Sequence, residues 1–296
     1  MPCCASTSRR RQGVAIRTNC RTLRCCADRP ARLLPERPPT MRSYFAWIAA
    51  ALLAAPALAA DHPWLSSPLR TQQPETYFTN LRDGDSIETP FVLKFGLSRY
   101  GLAPIVKPVD GAGHHHLLVN RDLPLDFTQP LPFNDQYIHF GKGQMETVLT
   151  FVPGTYTLRL LLADHKHIPY FVYSKPMKIT VTKKNDDVDP KTLIQPGVAI
   201  LEPRSGEPLR TPFRVRLHAS GLNVGHVDIQ DKGVGHFRLV AERAGAPTER
   251  IDLVKGLTEV WLAPPPGTYK FRVELLQNAD QQVMATSAPV EIEVPR

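Results

Sequence analysis

An internal repeat constrains this chain more than any other feature of its sequence. Residues 143–181 align without a gap on residues 256–294, with 13 of 39 positions identical. The matches include Glu146/Glu259, Leu149/Leu262, the Pro153-Gly-Thr-Tyr156 and Pro266-Gly-Thr-Tyr269 turns, Arg159/Arg272, Leu162/Leu275, Ser174/Ser287 and Pro176/Pro289. Upstream, Arg82-Asp-Gly-Asp-Ser-Ile-Glu-Thr-Pro-Phe91 matches Arg204-Ser-Gly-Glu-Pro-Leu-Arg-Thr-Pro-Phe213. Self-similarity of this kind means one structural unit used twice. The sequence therefore predicts a domain at 77–183 and a degenerate copy at 197–296, joined by a polar linker at 184–196.

Each copy reads as β-structure. Phe91-Val-Leu-Lys-Phe95, Tyr156-Thr-Leu-Arg-Leu-Leu-Leu162 and Lys178-Ile-Thr-Val181 are short β-branched or aromatic runs, and Asp83-Gly84, Pro153-Gly154 and Pro266-Gly267 punctuate them. Proline, at 29 of 296 residues, is about twice the usual share; that suits edge strands and loops and disfavours long helices. The expected class is all-β: two tandem immunoglobulin-like β-sandwich domains of about seven strands each.

Charge and cysteine are both concentrated at the N-terminus. Residues 1–40 carry nine Arg against Asp28 and Glu36, and all five cysteines (Cys3, Cys4, Cys20, Cys25, Cys26). Residues 61–296 hold 26 positive and 26 negative side chains, so the chain's +8 gives the body no electrostatic case for a nucleic-acid partner. With no cysteine, the body has neither a disulfide nor a thiolate site. Between these parts, Arg42 precedes the apolar run Tyr44-Phe-Ala-Trp-Ile-Ala-Ala-Ala-Leu-Leu-Ala-Ala55, and Ala57-Leu58-Ala59 supplies an A-x-A cleavage site. Residues 41–60 are expected to be a signal peptide and residues 1–40 an upstream, non-native extension. Residues 61–76 form an N-terminal segment, and the mature chain is periplasmic or secreted, with no membrane span after cleavage.

The repeat also acts as a control on the histidines. The first copy holds His114, His115, His116, His139, His165 and His167; at gap-free positions the second has Asp252 for His139, Asn278 for His165 and Asp280 for His167. Residues kept in both copies serve the scaffold, so histidines present in one are separable from it. Imidazole is the commonest neutral nitrogen ligand, and three or four converging rings suit zinc or copper. Asp164, Glu146 and Met145 are auxiliary candidates, Glu146 the weakest because the second copy keeps Glu259. Strand parity, with Leu118-Val119 aligned on Leu239-Val240, predicts His115, His139, His165 and His167 on one outer surface and His114 and His116 facing inward.

The blocks Gly113-His-His-His-Leu-Leu-Val119, Ile138-His-Phe-Gly-Lys-Gly-Gln-Met-Glu146, Pro153-Gly-Thr-Tyr-Thr-Leu-Arg-Leu-Leu-Leu162 and Asp164-His-Lys-His-Ile-Pro169 resemble a bacterial exported family known as domain of unknown function 4399. The resemblance covers most of the first copy and implies export and a small histidine-bearing domain.

The function expected from these readings is non-enzymatic binding of copper or zinc through the histidines of the first copy. A metal-dependent hydrolase or hydratase is an alternative, with Asp110, Asp122, Asp126 and Asp135 as acid–base partners. A second alternative is an envelope glycan- or protein-binding module that uses Tyr170-Phe-Val-Tyr173 as a stacking platform. His62 is a further metal candidate. Cleavage after Ala59 would leave Ala60-Asp61-His62, whose amine, two amides and imidazole form a square-planar nitrogen set for Cu(II) or Ni(II).

Overall fold

A computed structural model describes residues 62–67, 73–124 and 126–296. The expected extension at 1–40, the signal segment at 41–60 and the chelating residues Ala60 and Asp61 lie outside the described residues. The described chain is all-β, with a single 3-10 turn at Pro190–Thr192, and forms two tandem immunoglobulin-like β-sandwiches. No helix among the described residues is long and apolar enough to cross a membrane.

In the first sandwich, a three-stranded sheet of Glu75–Phe78, Phe91–Ser98 and Glu146–Leu149 packs on a seven-stranded one. The larger sheet is centred on Ala112–Val119 and Gly154–Ala163, and it carries Tyr137–Phe140 and Pro169–Tyr173 as additional partners. Alternation selects the core: Leu93 and Phe95 from one sheet meet Leu117, Leu158, Leu160 and Ile179 from the other, all fully buried. The second sandwich repeats the plan with a six-stranded sheet around Val234–Glu242 and Gly267–Gln277, facing a four-stranded sheet. The N-terminal segment does more than lead into the first sandwich. Leu65–Ser66 pairs with Glu259–Leu262 and becomes the edge strand of the second copy's smaller sheet.

The two copies pack against each other, and one apolar core runs across the junction from Leu97, Leu102, Met145 and Leu162 to Val215, Leu217, Phe237 and Val260. The crossing is reciprocal. Val224 N–H donates to Gly143 O at 2.9 Å, and Leu102 N–H donates to Gly256 O at 2.8 Å. Gly143 and Gly256 are matched in the repeat and have φ of +86° and +71°. A Cβ on Gly143 would lie 2.0 Å from Val224 O, and one on Gly256 would lie 2.3 Å from Leu102 O. Only glycine fits both the left-handed backbone and the close approach of the other copy. Glu146 and Glu259 follow the same logic. Glu146 accepts from His218 Nε2 (3.1 Å), Ser220 Oγ (2.6 Å) and Gly221 N (2.9 Å), while Glu259 accepts from Tyr77 Oη (2.8 Å). Glu146 is therefore an inter-copy buttress rather than an auxiliary metal ligand, and Met145 is a core residue.

Candidate metal centre

The Ala112–Val119 strand is buried along its whole length, so its two faces meet different surroundings. Leu117 and Val119 point into the sandwich, and His115 shares their parity. On the other face, Leu118 packs with Leu131, Tyr137, Leu161 and Ala163, and His114 and His116 share that side. Cross-strand register places His139 directly opposite His116. His167 arrives from the turn after Gly154–Ala163. Asp164 Oδ1 accepts the Lys166 and Ile168 amides at 2.8 and 2.9 Å, and His167 itself adopts φ +64°. This left-handed residue brings its ring back over the strand, with Nδ1 3.2 Å from His114 Nε2.

Four rings converge. His114 Nε2 lies 2.9 Å from His116 Nε2, and one ligand-capable atom from each of His114, His116, His139 and His167 lies within 4.8 Å of the others. His114 and His116 are 0% and 1% exposed, whereas His139 and His167 are half-buried and line the open side. Phe133, 65% exposed, stands edge-on to both of these, with ring centroids 5.4 Å from His139 and 4.7 Å from His167. Burial, followed by the mutual proximity of the other rings, pushes His114 down to about 2 and His116 down to about 3. Burial also lowers His139, helped by His167, and lowers His167 against an upward pull from Asp164. The rings are held neutral, the state that binds metal.

The donor set fits a cation on two counts. First, two ring nitrogens facing each other at 2.9 Å can share at most one proton, and His139 Nε2 is buried with no hydrogen-bond partner. Second, four nitrogens about 2.0–2.1 Å from a tetrahedral zinc stand about 3.3 Å apart, inside the range the four rings present. His114, His116, His139 and His167 would be the ligands.

The other sequence candidates lie elsewhere. His115 is 0% exposed, beside Phe95 (4.8 Å between ring centroids), with Nδ1 3.0 Å from Thr76 Oγ1. Thr76 donates its hydroxyl proton to Gly96 O, so the His115 Nδ1–H donates to Thr76. Burial pushes His115 down to about 3. His165 lines a separate polar hollow of about 180 Å³ with Asp110, Asp164 and Tyr170. His62 Nε2 lies 3.2 Å from Glu249 Oε2, and its Nδ1 accepts the Trp64 amide. The parity expectation is thus reversed: His114 and His116 share the outer face with His139, and His115 faces inward. The cause is a one-residue error in alignment. Leu117 pairs with Leu160 and Leu239 with Val273, which are equivalent strand positions, so Leu117 and not Leu118 matches Leu239.

With that register, the second copy's counterparts of His114, His116 and His139 are His236, Arg238 and Asp252. Arg238 and Asp252 are directly opposed and form a two-point ion pair at 2.5 and 3.0 Å. His236 Nδ1 instead contacts Asn278 Oδ1 at 2.7 Å. The left-handed turn residue is Gln281, one place beyond the gap-free partner of His167. Sequence reasoning singles out neither Phe133 nor Gly141; for Gly141 a signal exists, because its gap-free counterpart is Val254.

The family model described as "Domain of unknown function (DUF4399)" matches residues 93–182. All four clustered histidines fall inside the DUF4399 match, which bears out the resemblance drawn from the histidine blocks. No curated protein matches the chain. Among solved structures, the fibronectin(III)-like modules of Clostridium thermocellum CbhA are 12% identical at a TM-score of 0.24, with 74% of this chain and 92% of that chain covered. The FN1–FN3 domains of chicken CNTN1 are 10% identical at 0.22, with 73% and 68% covered. Likenesses this low carry no weight, and the fold class rests on the sheets themselves.

Proposed function

We propose that this is an exported protein that binds a transition-metal ion, copper or zinc, through His114, His116, His139 and His167 of its DUF4399 domain. The observation that carries the reading is the facing pair of buried ring nitrogens, His114 Nε2 and His116 Nε2 at 2.9 Å, with two further imidazoles closing around them. Neutral imidazole suits zinc and copper. Four such ligands fill a tetrahedral ion, which favours holding or handing on the metal over hydrolysis or hydration at an open position. Export is supported by Arg42, the apolar run at 44–55 and Ala57-x-Ala59, and places the protein in the periplasm or outside the cell.

The test is elemental analysis and titration of residues 60–296 purified without a histidine tag. One equivalent of zinc or copper is expected, together with a rise in melting temperature. An ion at 100 times its Kd stabilises the folded state by about 2.7 kcal/mol, reversibly with chelator. A chain that takes up neither ion sinks the reading.

A second reading, glycan or protein binding in the envelope, draws on the aromatic pair of half-buried Phe127 and exposed Phe171. These stack at 4.4 Å and 7°, and Phe171 is 75% exposed. Binding of cell-wall fragments lost in Phe171→Ala would support it.

A further inference from the structure

The geometry points to Gly141 as a positioning residue of the metal centre: its missing side chain is the space in which the His139 ring stands. We infer that Gly141 acts on the ion through His139 alone, an inference that rests on the metal reading above.

A Cβ built on Gly141 would lie 2.4 Å from His139 Cε1 and 2.5 Å from His139 Nε2. Both distances are far inside van der Waals contact. The atoms it meets are the free end of a side chain, so the ring, and not the backbone, would give way. The displaced atom would be Nε2, the buried nitrogen with no protein partner. Gly141 opens the turn that follows the Tyr137–Phe140 strand, and that turn sets its Cα against the ring two places back.

Backbone demand does not explain the glycine. Gly141 does not have the left-handed φ found at Gly143, so alanine meets no conformational barrier there. Its carbonyl accepts the Ile105 amide at 3.1 Å, a bond that alanine would keep. The second copy supplies the control: where His139 is replaced by the short Asp252, position 141 is replaced by Val254. Asp252 turns its carboxylate to Arg238, and a β-branched residue is accommodated two places on. The glycine accompanies the ring.

The experiment is a double-mutant cycle on the whole mature chain, read by Zn(II) titration and by the absorption of bound Co(II), which reports ligand geometry. Gly141→Ala is expected to weaken Zn(II) binding about 10–100-fold, the usual scale for losing a group that orients a ligand. The Co(II) spectrum should change and the apo melting temperature should stay close to wild type. In a His139→Ala background, Gly141→Ala should change neither affinity nor spectrum, because the ring is gone and the other neighbour of the added Cβ, Ile105 Cγ2 at 3.2 Å, is the end of an exposed side chain outside the cluster.

Wild-type affinity in Gly141→Ala overturns the inference, and so does an equal loss with and without His139. If Gly141→Ala fails to fold, His139→Ala/Gly141→Ala decides: recovery of the fold supports the steric seat, and continued misfolding overturns it. A wild-type chain that binds no ion overturns the metal reading and this inference together, whereas wild-type binding with an indifferent Gly141→Ala overturns this inference only.

Discussion

His116 and His139 face each other across two antiparallel strands, and the same cross-strand pair in the second copy is Arg238 and Asp252. Arginine and aspartate satisfy each other through two charge-assisted hydrogen bonds. Two neutral imidazoles carry one ring proton each and no charge to pair, and under the metal reading proposed above a cation would complete the first copy's pair. Replacing His116 or His139 by alanine is therefore expected to lower zinc affinity by at least about 100-fold, beyond the 10–100-fold of an outer-shell loss. His165→Ala, outside the cluster, should leave titration unchanged. Equal losses at 139 and 165 would show that the four-ring set is misassigned.

His115 separates packing from ligation within a single strand. It is fully buried against Phe95 and bonded to Thr76, so His115→Ala is expected to cost about 2–4 kcal/mol of apo stability through its cavity and lost hydrogen bond. Metal stoichiometry should be unchanged. His115→Phe copies the second copy's Phe237 and should recover most of the loss, because the Thr76 hydroxyl still donates to Gly96. Thermal melts of the three proteins decide this.

Glu146 predicts how pH acts on the junction. Burial pushes its carboxyl up, but hydrogen bonds from His218, Ser220 and the Gly221 amide outweigh that and hold it below the ordinary carboxylate range; Lys94 stands 3.9 Å away. A carboxyl with a depressed folded value binds fewer protons when folded than when unfolded. Its contribution is present above the unfolded value of about 4.3 and is lost as pH falls through the lower folded one. Glu146→Gln should cost about 1.5–3 kcal/mol at pH 7, with the gap from wild type closing as pH drops below about 4. A gap that is constant from pH 7 to pH 3 would contradict this.

Phe133 covers the open side of the centre while remaining 65% exposed, so it contributes little to the core. Phe133→Ala should alter stability by less than about 0.5 kcal/mol. By uncovering the His139 and His167 edges, it should accelerate zinc transfer to an excess of chelator severalfold in stopped flow. An unchanged transfer rate would mean that the ring is ornamental to exchange.

Much of this molecule is legible in the sequence. Two β-sandwiches follow from the repeat and from short β-branched runs broken by glycine and proline, because both signals are local. The separability of the histidines is also visible, since one copy folds without most of them. His139 and His167 could be singled out by comparison alone, as positions where the second copy carries Asp252 and, without a gap, Asp280.

Tertiary structure decided the rest, and the physical reason is periodicity. Side chains on a strand alternate between faces, so a one-residue shift in aligning Ala112–Val119 with Val234–Glu242 exchanges the core histidine with the two clustered ones. Nothing within His114-His-His116 distinguishes them; Leu160 and Leu161 on the neighbouring strand do, by pairing with Leu117 and His116. Asp-His-Lys-His likewise does not say which histidine turns inward, and the left-handed φ at His167 settles it. Gly143, Gly256, Glu146 and Glu259 appear in the sequence as scaffold residues common to both copies. Only the packed pair reveals that each meets the opposite copy, because a contact between residues more than seventy apart leaves no local trace.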